Sequence, residues 1–238
     1  MDWKNKFSRN FEKIILFILI PLFLLNCAQK KENKAEAFDK IARTLFKNVY
    51  PYLAKQIKQD YSINEGICVD VGAGPAYLSI ELAKITDLKI YALDIDPDAI
   101  KIAKKNIKKV GLTGRIKAVL GDVHKMPFPD NFADLVVSRG SFIFWKDKVK
   151  AFKEIYRILK PGGIAFIGGG MGRLLPQAER ERIRLIMERE NIGPPANLRV
   201  SIKEMGEILR KAGIFNFEIY SHEGCICGLW TEFKKKKD

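Results

Sequence analysis

The sequence predicts an α/β fold: an open, doubly wound, mostly parallel seven-stranded sheet with an antiparallel last strand. Three observations carry this. Short apolar runs alternate with longer segments whose apolar residues recur at helical spacing. The first run, residues 67–71 (ICVDV), passes directly into Gly72-Ala73-Gly74, after which Leu78, Leu82 and Ile85 mark a helix. Finally, three consecutive runs end in an acid: Asp70, Asp94 and, after Gly121, Asp122.

Each feature has a physical reading. A strand buried on both faces reads as a continuous apolar run, as Cys68, Val69 and Val71 do. Glycine has no Cβ, so a strand–glycine turn–helix unit lets backbone amides approach a ligand closely. Open α/β sheets bind ligands beyond the carboxyl ends of their strands, where all three acids fall. Asp94 lies about twenty residues past the glycine turn, where an acid can bind a ribose diol. Asp122, at the end of the following run, stands where a carboxylate can meet an adenine edge. Tyr77 occupies the third position of the dinucleotide glycine pattern, which disfavours a pyrophosphate against the helix and hence a nicotinamide dinucleotide.

In order, the expected strands are residues 67–71, 88–93, 115–120, 133–137 and 164–167, with a closing pair at 215–221 and 225–233. Helices are expected at 38–59, kinked or restarted at Pro51, at 76–85, and from Pro97 to 110. Further helices run from the Asp147 cap to 159, over 173–190, and from the Ser201-Ile202-Lys203-Glu204 capping box to 212. In the helix from Pro97, Ile100, Ala103, Ile107 and Val110 should face inward. Lys101, Lys104, Lys105, Lys108 and Lys109 then form a solvated face. No aromatic residues interleave with these lysines, so no specific nucleic-acid partner is expected. Asp96 reads as the cap of this helix, and His124 as a solvated loop histidine.

The chain has 238 residues, 47% hydrophobic, enough for one substantial domain plus an N-terminal extension. Its formal charge of +14 favours anionic partners, an anionic membrane surface among them, and has no bearing on the fold. The four cysteines form no disulfide framework. Cys68 belongs inside the first strand. Cys225 and Cys227 share a strand face, and two thiolates do not complete a tetrahedral site, so no metal is expected.

The first residues are net basic, and residues 14–25 are uninterruptedly apolar, too short for an ordinary spanning helix. Residues 1–28 are read as a hydrophobic signal or anchor. The run ending Leu24-Leu25-Asn26-Cys27 resembles a bacterial lipoprotein signal with Cys27 as the acylated residue, and an uncleaved anchor is the competing reading. Residues 29–36 are expected as a linker, 37–233 as the domain and 234–238 as a basic tail. Membrane association on the cytoplasmic face is favoured, through a monotopic turn at Pro21 with Lys30, Lys31 and Lys34 behind it. An exported lipoprotein is the alternative.

The motifs VDVGAGPAYLS, YALDIDP, GDVHKMPFPDNFADLVVS and LKPGGIAFIGGG, in this order and spacing, resemble those of a class I S-adenosylmethionine-dependent methyltransferase of the small-molecule type, with a Rossmann-like sheet. The resemblance implies that S-adenosylmethionine is held by Asp70, Gly72, Ala73, Gly74, Asp94, Ile95, Asp122, Val123 and Ser138. It implies in-line methyl transfer to a small-molecule acceptor. Ser138-Arg139-Gly140-Ser141 stands where the family places the methyl and lacks the signatures of adenine, cytosine or arginine methylation. Arg139 is a candidate for orienting an anionic acceptor. Phe142, Phe144 and Trp145 read equally as a pocket wall or as core. Three other classes stay open: a nicotinamide oxidoreductase, an aminopropyl transferase, and a non-catalytic membrane-anchored lipoprotein that keeps the fold as a binding module.

Overall fold

The structure, a computed structural model, describes residues 33–193, 195–221 and 228–237. The signal or anchor segment, the Cys225–Cys227 pair and His222 lie outside these residues. Among the described residues, no helix is long and apolar enough to cross a membrane.

The elements are α1 (Lys34–Thr44), α2 (Val49–Tyr61), β1 (Ile67–Val71), α3 (Tyr77–Ile85), β2 (Lys89–Asp94), α4 (Pro97–Lys109), β3 (Ile116–Leu120), β4 (Ala133–Arg139), α5 (Lys148–Ile158), β5 (Leu159–Gly168), α6 (Gln177–Arg189), α7 (Ile202–Lys211), β6 (Phe217–Ser221) and β7 (Leu229–Lys234). They form one seven-stranded sheet of order β3-β2-β1-β4-β5-β7-β6. The first five strands are parallel. β7 inserts antiparallel between β5 and β6. Strand order reverses direction between β1 and β4, the switch point at which open α/β sheets leave a crevice beyond the strand ends.

Alternation along the strands divides the core. Cys68, Leu135 and Val137 pack with α1 to α4 and α6 on one face. Val69, Val71 and Val136 pack with α5 and α7 on the other. Cys68 is a buried free thiol whose pKa burial pushes well up.

Several boundaries differ from the sequence reading. α1 starts at Lys34, inside the expected linker, with Ala35 buried in its first turn and Ala42 packed into the core. The helical stretch expected over 38–59 does restart, but at Val49 after a break at residues 45–48, so that Pro51 sits in the first turn of α2 where no backbone donor is needed. Val110 is exposed: it follows the last turn of α4 and faces away from the sheet. β5 begins at Leu159 and absorbs Pro161-Gly162-Gly163 through an irregularity opposite Ala133 and Leu135. The basic tail is partly structural, since Lys234 ends β7 and Lys235 N–H donates to the Gly163 carbonyl at 2.9 Å.

Candidate active site

The glycine turn is fixed to the end of β2. Gly72 and Ala73 donate their N–H groups to the Leu93 carbonyl at 2.8 and 3.0 Å. Gly74 N–H donates to Asp94 Oδ2 at 2.8 Å, and Asp96 N–H to Asp94 Oδ1 at 2.9 Å. The Asp94 carboxylate is therefore held still at the strand end, half-buried, with lone pairs still free for a ligand. Its neighbour Ile95 is 66% exposed. Asp96 caps α4 through Asp98 N–H, as its position before Pro97 predicts.

Gly72 has φ +67°, and a Cβ there would lie 2.3 Å from Ser141 Cβ. The turn can come this close to β4 only without a side chain. Ser138 and Ser141 brace it from beneath: their hydroxyls are 2.7 Å apart, and Ser141 Oγ donates to the Val71 carbonyl at 3.0 Å. Ser138 is fully buried in this brace.

Asp70 is also buried, below the turn, where it accepts from Ser79 Oγ at 2.7 Å. Burial raises its carboxyl to about 7, against the lowering effect of the Ser79 hydrogen bond. Asp70 thus ties β1 to α3.

Asp122 follows β3, and its side chain is 46% exposed. The backbone N–H of His124 holds its carboxyl below the usual range. Val123 is buried beside Met126 and Phe128 in the second core cluster. His124 is not the solvated loop residue its sequence context suggests. Its Nδ1 is 2.6 Å from Asp122 Oδ1, and its Nε2 accepts from Asp147 N–H at 3.2 Å. The second bond requires an unprotonated Nε2, so Nδ1 carries the proton and donates to Asp122. Asp122, two residues before it, and Asp147, twenty-three after it, hold the ring, whose side chain is 17% exposed.

Beyond β4 and β5 lies a cavity of about 510 Å³ walled by Phe46, Phe142, Phe144, Met171, Met187 and Leu229, with further apolar groups around them. Among its described lining residues the titratable groups are Arg139 and Arg199. Arg139 ends β4. Its Nε donates to the Gly170 carbonyl at 3.0 Å, and its guanidinium lies 4.3 Å from the Phe46 ring centroid and 5.2 Å from that of Tyr50. The aromatics after β4 divide their roles: Phe142 is buried and lines the cavity, Phe144 lines it from an exposed position, and Trp145 is core, edge-on to Phe152.

Sequence reasoning missed Phe46, Tyr50, Met171 and Met187 as site residues. It also missed Ala76, which precedes α3 at φ +65°. Phe46 and Tyr50 stand four apart, but nothing in the spacing connects them with Arg139, ninety residues on.

A family model described as "Methyltransferase domain" matches residues 69–167. The crystal structure of a "putative S-adenosyl-L-methionine-dependent methyltransferase" from Methanococcus maripaludis superposes with a TM-score of 0.78 at 41% identity, covering 88% of this chain and 96% of that one. Sterol 24-C-methyltransferase of Aspergillus fumigatus is 32% identical over 72% of this chain and 44% of its own length. The 2-methyl-6-phytyl-1,4-hydroquinone methyltransferase of Spinacia oleracea is 38% identical over 43% of this chain and 29% of its own. The chain thus spans less than half the length of these two curated relatives. It belongs to the S-adenosylmethionine-dependent methyltransferase family.

The residues present fit that cofactor. Asp94 is an immobilised acceptor for a diol, and Ile95 an exposed apolar surface beside it. Gly140, with φ +80° and nothing within 4 Å of where a Cβ would stand, leaves open space at the end of β4.

Proposed function

We propose that the protein transfers a methyl group from S-adenosylmethionine to a small, largely apolar acceptor seated in the cavity beyond β4 and β5. The observation that carries this is the link from an aromatic and thioether-lined cavity to the braced glycine turn: Phe38 of its wall stands 3.3 Å from where a Gly74 Cβ would be, and Gly74 N–H donates to Asp94. The names of the sterol and hydroquinone relatives support an apolar acceptor. In this reading Asp94 holds the ribose diol, Ile95 and Val123 border the adenine, Asp122 meets its edge, and Gly72, Ala73 and Gly74 let the methionine part lie close to the backbone. Asp70 and Ser138 act from below, fixing the turn rather than touching the ligand.

The cofactor supplies an electrophilic methyl group on a sulfonium. The chain supplies position and dryness. The described cavity wall carries cations but no carboxylate, histidine or thiol, so it offers no general base. His124 is tied between Asp122 and Asp147. Arg139, stacked and half-buried, orients an anionic or strongly polar group of the acceptor.

Calorimetric titration of S-adenosylmethionine into the full chain tests this. Micromolar binding is expected, weakened at least about tenfold by Asp94→Ala, which removes a charged acceptor and frees Gly74 N–H. Absence of binding by a folded protein would overturn the proposal. Arg139→Lys keeps the charge but loses the planar stack. It should leave cofactor affinity unchanged and raise the KM of the acceptor, once a labelled-methyl screen of sterols and hydroquinones has found one.

A further inference from the structure

Exposed large apolar side chains are ordinary when scattered and informative when gathered. Three of them stand on the lining of the acceptor cavity: Phe144, 63% exposed, Ile202, 50%, and Phe38, 41%. They come from three separate places in the chain, the turn after β4, the start of α7, and α1. The same rim carries exposed cations. Arg199 lines the cavity, Lys146 follows Phe144 by two residues, and Lys203 adjoins Ile202. The acids adjoining these residues in the chain are engaged: Asp39, next to Phe38, accepts from Tyr77 Oη at 3.0 Å and pairs with Arg43, and two others stand at helix N-termini. Asp147 accepts from Lys150 N–H, and Glu204 from Ser201 N–H. Their charge is offset there by the helix dipoles.

We propose that this rim docks on an anionic lipid bilayer, with Phe38, Phe144 and Ile202 entering the headgroup–acyl boundary and Lys146, Arg199 and Lys203 meeting lipid phosphates. Apolar groups flanked by cations match the layering of such a surface. The sequence adds to this. The apolar run 14–25 precedes α1, and α1 carries Phe38 to the rim. An apolar acceptor would then pass from bilayer to cavity without crossing water. The other cationic surface does not serve. The groove lined by Lys89, Lys104, Lys108 and Lys117 lies at the N-terminal ends of β2 and β3, opposite the cavity, and a bilayer bound there would leave the mouth facing away.

The inference goes beyond the methyl-transfer reading, and its test needs no turnover. Amide hydrogen exchange of the full chain would be followed with vesicles of phosphatidylglycerol and phosphatidylcholine, and with phosphatidylcholine alone. Slowed exchange is expected over residues 142–146 and 199–204 with the anionic vesicles only, and not over 104–117. Paired substitutions Phe144→Asp and Ile202→Asp, both at exposed positions, should abolish that protection and weaken vesicle binding about tenfold or more, while exchange in β1 and β4 is unchanged. Vesicle binding without protection of the rim would overturn the proposal, as would protection confined to 104–117, or no binding at all. Rim protection that appears on raising protein concentration without vesicles would also overturn it, assigning the face to a second copy of the chain.

Discussion

At the scale of single residues, two positions combine chemistry with strain. Asp70 has a carboxyl at about 7 in the folded protein, against an ordinary value of 3.8. Below pH 4 it is protonated in both states and costs nothing. As pH rises, the unfolded chain ionises first, so native stability is lost from about pH 4 through pH 7, at up to about 1.4 kcal/mol per unit from this group. Asp70→Asn should flatten that slope, and urea unfolding at pH 5 and pH 8 would show it. Gly72 is constrained by both its backbone and its neighbour. Gly72→Ala combines a positive φ with a Cβ 2.3 Å from Ser141 Cβ. It should destabilise by about 2–4 kcal/mol. Ser141→Gly in the same chain should recover part of this, since it removes the obstruction but not the φ.

At the scale of elements, the site depends on how helices begin. α7 opens with a complete capping box in which Ser201 Oγ accepts from Glu204 N–H and Glu204 accepts from Ser201 N–H. Ser201→Ala should cost about 1 kcal/mol in chemical denaturation, and it should loosen the side of the cavity on which Ile202 and Arg199 stand. α5 is held differently. Arg157 in its last turn pairs with Glu154 and Asp130 and donates to the Phe128 carbonyl at 2.9 Å. This clamps residues 126–130 over the end of β3 that carries Asp122. The capping box was legible as a sequence pattern because its partners are three residues apart. The Arg157 clamp was not: Glu154 is three residues away, but Asp130 and Phe128 lie 27 and 29 residues from Arg157 and meet it only when α5 packs on the sheet.

For the whole molecule, β7 is the closing element. Trp230 is fully buried and stacks on Phe166 with ring centroids 4.3 Å apart, joining β7 to β5 across the antiparallel pair. Trp230→Ala should cost about 3–5 kcal/mol, and near-ultraviolet circular dichroism would report loosened packing at that edge. The cavity lies at this same edge, with Leu229 in its wall. The substitution should therefore weaken acceptor binding more than S-adenosylmethionine binding, because the cofactor end of the sheet is on the other side of β4.

The sequence by itself determined the alternation of strands and helices, the glycine turn, and the three strand-end acids. These are local signals: a period of two or 3.6, a residue without Cβ, a carboxylate directly after an apolar run. Motif order carried the family for the same reason. Tertiary structure alone decided which acids stay open. Asp94 and Asp122 remain at the surface of the crevice, whereas Asp70 is enclosed with Ser79, and nothing near Asp70 in the sequence distinguishes it from the other two. It also decided that His124 is braced, that Trp145 is core while Phe144 is exposed, and that Arg139 rests on Phe46 and Tyr50. Each of these depends on contacts between segments far apart in the chain, which form only when the helices cover the sheet and burial is settled for the molecule as a whole.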